Sequence, residues 1–219
     1  MITFVLADAQ LELVPPELVA APSVKRRARE RRREPAQILL DQAQDHRAMR
    51  DLSDGDRRGR PDIVHFALLL LQDSPLEKRV FIHTREDELI RVRPDLRPPR
   101  SQPKFYQLCE DLLRQGKVPM DRTPLMTLEK DWHLWKVLAA EAKGPTVLLD
   151  EGGELARSAA FADMARASPD ITLVVGAFPR GEWRERPKVD RVVRVADKPL
   201  PLWSALVPVL AGFEDAVLG

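Results

Sequence analysis

Six short runs of β-forming residues recur along this 219-residue chain: Thr3–Ala7, Arg79–Thr84, Glu88–Val92, Thr146–Asp150, Ile171–Phe178 and Arg191–Ala196. Segments with helical periodicity separate most of them. That alternation restricts the fold to the α/β class, a mostly parallel sheet flanked by helices. The exception is 79–92, where only a few charged residues intervene and a hairpin turning near Glu86-Asp87 is expected. The length suits one large domain with a sizeable core, so a single domain over 1–219 is expected.

The stretch "GRPDIVHFALLLLQDSP", residues 59–75, predicts a helix over 61–72. Pro61 suits the first helical position, Asp62 the positive end of the helix dipole, and Pro75 forbids continuation. Apolar nearly all round, this helix should be buried. A second helix follows Pro103, with Phe105, Leu108, Leu112 and Leu113 at helical spacing and Gly116 as its stop. Cys109 then falls among core-facing positions. Residues 20–36, an Ala/Pro entry into a basic run, read as either a charged helix or a mobile arm.

Charge sets the class of partner. Thirty-five Lys+Arg against 34 Asp+Glu nearly cancel, so attraction to a polyanion must come from local clusters. Two are present: "KRRARERRRE" (25–34) holds seven basic and two acidic residues, and "RVRPDLRPPRSQPK" (91–104) holds five and one. One such run is ordinarily a solvated face, whereas two favour a polyanionic partner.

Other classes are disfavoured. The lone Cys109 excludes an intrachain disulfide and a multi-cysteine metal site, and fits a reducing compartment. His46, His65, His83 and His133 lack paired ligand spacing, so no metal is expected. Ile63–Leu71 is too short to span a bilayer and no charged leader opens the chain; a soluble, cytoplasmic protein without a membrane partner is expected. Neither a dinucleotide-binding glycine fingerprint nor a P-loop occurs.

The C-terminal third offers three strand-to-loop junctions, "TVLLDEGGE" (146–154), "ITLVVGAFPRGEW" (171–183) and "RVVRVADKPLPLW" (191–203). Ligands of open α/β sheets bind outside the carboxyl ends of strands, so these three ends predict a pocket. Gly176 and Gly181 would allow close backbone approach or positive φ.

The motifs "RPDIVHFALLLLQDSP", "VFIHT", "RPDLRPPRSQPKF" and "LVVGAFPRG", in that order, resemble those of the small-subunit rRNA pseudouridine-N1-methyltransferases. These are ribosome-assembly factors of the SPOUT (α/β-knot) superfamily. "ILLDQAQDHRAM" and the final "FEDAVLG" extend the likeness over nearly the whole chain. The resemblance implies a trefoil knot within about 146–219, with 20–36 and the hairpin 79–92 as family-type extensions. It also implies a homodimer, small-subunit rRNA and pre-ribosomal proteins as partners, and S-adenosyl-L-methionine as cofactor.

The resemblance lends residues their roles. Leu149, Gly176, Ala177, Phe178, Gly181, Val195, Leu200 and Leu202 would wrap the cofactor, mostly through backbone and apolar contacts. Arg60, Arg97, Arg100 and Lys104 would contact RNA. Lys104 departs from an arginine in the family pattern and acts mainly as a point charge. Arg180, Pro201 and the pair Asp45-His46 also depart from it.

The chemistry can be weighed on the residues alone. Methylation at pyrimidine C5 would normally need a cysteine adduct, and Cys109 has core spacing. Methylation at a ring nitrogen, such as N1 of pseudouridine, needs only positioning and loss of a proton. Asp73 is the carboxylate expected to handle that proton at the pocket mouth, whereas Asp62 is expected to serve the helix start. A non-catalytic RNA-binding assembly factor with a vestigial pocket, or a small-nucleotide-binding protein, are the competing readings.

Overall fold

The computed structural model describes residues 1–219. Eight strands, β1 (Ile2–Ala9), β2 (Lys78–Thr84), β3 (Leu89–Val92), β4 (Lys117–Val118), β5 (Met126–Glu129), β6 (Thr146–Leu155), β7 (Ile171–Gly176) and β8 (Arg191–Arg194), form one sheet. Their order is β4-β5-β3-β2-β1-β7-β6-β8. The sheet is mixed. Strands β2, β1, β7, β6 and β8 run parallel, as expected. The hairpin β2–β3 pairs Val80 with Val92 and His83 with Leu89, and β5 and β4 extend that edge antiparallel. Neither β4, two residues long, nor β5, "MTLE", carries a period-2 pattern strong enough to be read from sequence.

Helices α1 (Pro22–Arg31), α2 (Gln42–Asp45), α3 (Pro61–Asp73), α4 (Gln102–Gln115), α5 (Leu134–Glu141), α6 (Ser158–Ala167) and α7 (Leu202–Leu218) complete the chain. Alternate residues of β1 enter different cores, so its burial is continuous. Phe4 and Leu6 join Leu68 of α3, Phe105 of α4 and Phe161 and Phe213 of α6 and α7. Val5 and Ala7 meet Leu134 and Val137 of α5 on the opposite face.

Helix α3 starts at Pro61 and ends at Asp73, after which Ser74 is extended. Ile63, Val64, Ala67, Leu68 and Leu71 are buried, but Phe66 is 43% exposed, so burial is not complete all round. Helix α4 ends as expected at Gly116, whose φ of 77° is the left-handed cap that glycine takes at least cost.

Within 20–36 the chain forms the helix Pro22–Arg31, and its basic residues are partly internal. Arg27 is 1% exposed and pairs with the fully buried Asp45. Arg31 and Arg33 pair with the buried Glu110, and Arg33 also reaches Asp111 at 2.8 Å. Of the seven basic residues in 25–34 only Lys25, Arg26, Arg29 and Arg32 are exposed, so this cluster is a weaker polyanion signal than its sequence suggests.

Candidate active site and its basic flank

The carboxyl ends of β6, β7 and β8 surround a cavity of about 1320 Å³. Seven of the eight residues expected around a cofactor line it: Leu149 from β6; Gly176, Phe178 and Gly181 from the loop after β7; Val195, Leu200 and Leu202 from the segment after β8. Ala177 does not. It is fully buried, donating its amide to Ala7 O at 2.8 Å while its carbonyl accepts from the Gln10 amide at 3.3 Å. Those two bonds end β7 two residues before Phe178 and turn the loop toward the cavity.

Gly176 fits because it has no side chain. A Cβ there would lie 2.7 Å from Cε1 of Phe178, so the ring would have to shift. Gly181 has φ of 87°, a conformation that side chains resist. The Phe178 ring packs edge-on against Trp183 at 5.1 Å, and the Arg57 guanidinium lies 4.6 Å from its centroid.

Asp150 is a cavity residue with a defined charge state. Partial burial opposes its ionisation, but hydrogen bonds from the Gly152 amide, the Trp183 indole at 2.9 Å and Arg186 at 3.2 Å outweigh that, holding its carboxyl below the ordinary range. It therefore accepts hydrogen bonds and stays ionised. Trp183, Arg186 and Arg57 were not apparent from the sequence. The tryptophan that follows the loop glycine in "RGEW" was the one available signal.

Arg60 lines the same cavity from the start of α3. Its guanidinium forms a two-pronged pair with Asp62, Nε to Oδ1 at 2.9 Å and Nη2 to Oδ2 at 2.8 Å. Asp62, in the first turn of α3, thus aims Arg60, a role that its sequence position did not disclose. Arg97, Arg100 and Lys104 are exposed and lie outside the cavity lining. The loop carrying the first two is tied to α3 where the Pro99 carbonyl meets His65 Nε2 at 2.7 Å, and the His65 ring stacks on Phe105 at 4.3 Å. Arg60 thus stands at the start of α3, whereas Arg100, which reaches Asp73 at 3.4 Å, lies by its other end.

Asp73 is not at the cavity mouth within one chain. It ends α3, thirteen residues long, and so stands about 18 Å from the Pro61 end by helix rise. Its carboxylate instead accepts from Arg100 at 3.4 Å. Cys109 is fully buried in the main core, where burial pushes its thiol well above the usual range. No group of His, Cys, Asp or Glu is arranged to hold a metal ion, and no helix is long and apolar enough to cross a membrane.

Comparison with known proteins matches this architecture over its full length. The family model described as EMG1/NEP1 methyltransferase matches residues 4–214. The chain is 36% identical over 224 residues to the ribosomal RNA small subunit methyltransferase Nep1 of Methanothrix thermoacetophila, covering 100% of this chain and 97% of that protein. It is 40% identical to the Nep1 of Pyrobaculum neutrophilum, covering 96% of each. The crystal structure of Archaeoglobus fulgidus Nep1 bound to S-adenosylhomocysteine has a TM-score of 0.87 to this fold at 30% identity, covering 99% of both chains. With a matching family model, full-length relatives and a shared fold, this chain belongs to the EMG1/NEP1 methyltransferase family.

Proposed function

We propose that the chain transfers the methyl group of S-adenosyl-L-methionine to N1 of a pseudouridine in small-subunit ribosomal RNA during ribosome biogenesis. The observation that carries this reading is the cavity walled by Leu149, Gly176 and Val195–Leu202 with Arg60 among its lining. Its roughly 1320 Å³ exceeds the usual small-ligand range of about 300–1,000 Å³, leaving room for a cofactor and a reacting base together. The product form of the cofactor occupies the Archaeoglobus relative.

When bound, the cofactor supplies an electrophilic methyl on its sulfonium. The tight turn at Gly176 lets main chain approach the adenosyl group. Arg60, Arg97, Arg100 and Lys104 hold the RNA, and Arg60 sets the base beside the cavity. The buried Cys109 thiol is neither ionised nor accessible, which favours attack from nitrogen over a cysteine adduct. Calorimetry with S-adenosylmethionine, then methyl transfer to paired oligonucleotides bearing uridine or pseudouridine, tests the reading. Transfer to pseudouridine alone is expected. RNA binding without transfer would leave a non-catalytic assembly factor.

The reading takes 1–219 as one domain, knotted within about 146–219, working in the cytoplasm as a homodimer alongside pre-ribosomal proteins. Exposed apolar residues on α3 and α7, Phe66 at 43% and Val207 at 55%, support a second copy there. A homodimer also gives Asp73 its role, because only a second copy can bring that end of α3 to a cavity. In that arrangement Asp73→Asn lowers kcat by about 10²-fold or more, the usual scale of general-base catalysis, with cofactor and RNA affinities unchanged. Undiminished kcat would reduce Asp73 to a helix-ending residue paired with Arg100.

The basic flank has its own signature. Arg97→Ala and Arg100→Ala each weaken RNA binding and reduce the slope of log K against log salt by roughly one, the counterion release of a single phosphate contact. Unchanged slopes in both variants would remove these arginines from the phosphate interface.

A further inference from the structure

We infer that Arg57 positions the cavity loop and that its segment, residues 54–60, couples cofactor binding to RNA binding. The inference rests on the assignment of the cavity to S-adenosylmethionine and of Arg60 to RNA. One guanidinium makes three separate contacts. Nη2 donates to Asp8 Oδ2 at 2.9 Å, Nη1 donates to the Glu182 carbonyl, and the plane covers the Phe178 ring. Gly181 packs on the same side chain, with Nη1 3.5 Å from where its Cβ would be. Arg57 therefore holds the turn 178–182 at both ends, which a planar fork can do and a lysine cannot.

The counterpart is built to stay still. Asp8 is 3% exposed, its backbone sits at φ 53°, and its amide donates to His83 Nδ1 at 3.3 Å. Residues 7–12 also anchor everything else in this region. Ala7 and Gln10 bind Ala177 through the main chain, which fixes the start of the cavity loop. Glu12 takes a forked pair from Arg58, and the Gln10 carbonyl accepts from the Arg60 amide at 3.0 Å. The segment that carries both Arg57 and Arg60 thus lies on the same stretch that anchors the cavity loop. RNA that draws on Arg60 acts on Arg57, and by thermodynamic reciprocity a ligand that orders Phe178 acts on Arg60.

The test compares full-length wild type, Arg57→Ala and Arg57→Lys, with the exposed Arg29→Ala as a control for lost charge. In hydrogen exchange without ligand, amides 178–184 of Arg57→Ala exchange at least tenfold faster while the other amides keep their wild-type rates. In calorimetry, S-adenosylhomocysteine binds Arg57→Ala at least tenfold more weakly. An RNA oligonucleotide tightens that binding in wild type and Arg29→Ala, and leaves it unchanged in Arg57→Ala. Arg57→Lys, which keeps the charge but loses the fork, falls between, and it carries the comparison if Arg57→Ala does not fold. Wild-type exchange and affinity in a folded Arg57→Ala would overturn the positioning role while leaving the cavity assignment standing. Weakened binding with undiminished RNA coupling would overturn the link between the two sites. A wild type that ignores S-adenosylhomocysteine would instead overturn the cavity assignment and the coupling with it, and the exchange measurement would still decide whether Arg57 holds the loop.

Discussion

Gly176→Val abolishes cofactor binding while the fold and RNA affinity persist. The position ends β7 and pairs with Ala7 of β1, and its φ lies outside the left-handed region. Valine is therefore acceptable to the sheet. The conflict is local: a Cβ would lie 2.7 and 2.9 Å from Cε1 and Cζ of Phe178, so the ring must swing away. A displaced ring would disturb its contacts with Trp183 and Arg57 and the cavity wall it now forms. Loss of the close backbone approach together with that obstruction is expected to weaken S-adenosylmethionine at least 100-fold, about 2.7 kcal/mol. Calorimetry reads the loss, circular dichroism the retained fold, and a filter-binding assay with both proteins free of cofactor an RNA affinity within about twofold of wild type. Normal cofactor affinity in a folded Gly176→Val would remove this loop from the site.

The same loop marks where sequence reading stops. Strand runs, helices α3 and α4 and the hairpin follow from period, proline and glycine signals that act over a few residues. The cavity was legible because three strand ends carrying glycine or proline fall in one third of the chain. Three other features depend on contacts between segments remote in sequence. Arg57 meets Glu182 across 125 positions, and no local pattern records that partnership. Asp73 was placed at the pocket because its neighbours in sequence resemble an RNA-facing motif, yet a helix carries its two ends about 18 Å apart. The basic run 25–34 reads as a solvated patch because its counter-charges, Asp45 and Glu110, lie 18 and 79 residues from their partners.

That last pairing carries the largest expected effect on stability. Arg27 and Asp45 are 1% and 0% exposed, and the guanidinium has one other acceptor, the Leu39 carbonyl at 3.1 Å from both Nη atoms. Asp45 supplies the counter-charge that a buried arginine requires. Asp45→Ala leaves that cation in a closed core, a change expected to cost about 3–5 kcal/mol. For a chain of this size the midpoint of thermal unfolding should fall by roughly 6–20 °C. Replacing both partners, Arg27→Met with Asp45→Leu, removes the uncompensated charge and should recover at least half of the loss, because a buried pair contributes little net energy over a packed apolar contact. Recovery in the double variant separates the cost of an orphaned charge from the cost of a cavity, which a second truncation would deepen. The consequence reaches the functional region through Gln42, in the same short helix as Asp45. Gln42 donates its side-chain amide to the Gly55 and Asp56 carbonyls at 3.2 and 3.0 Å and its backbone amide to Gly59 O at 2.8 Å. Below its lowered melting point's onset, Asp45→Ala should therefore speed amide exchange over 54–60, relative to wild type, more than over the sheet. An equal change in both regions would show that the buried pair does not support the segment that carries Arg57 and Arg60, and a midpoint within about 2 °C of wild type that it does not support the fold.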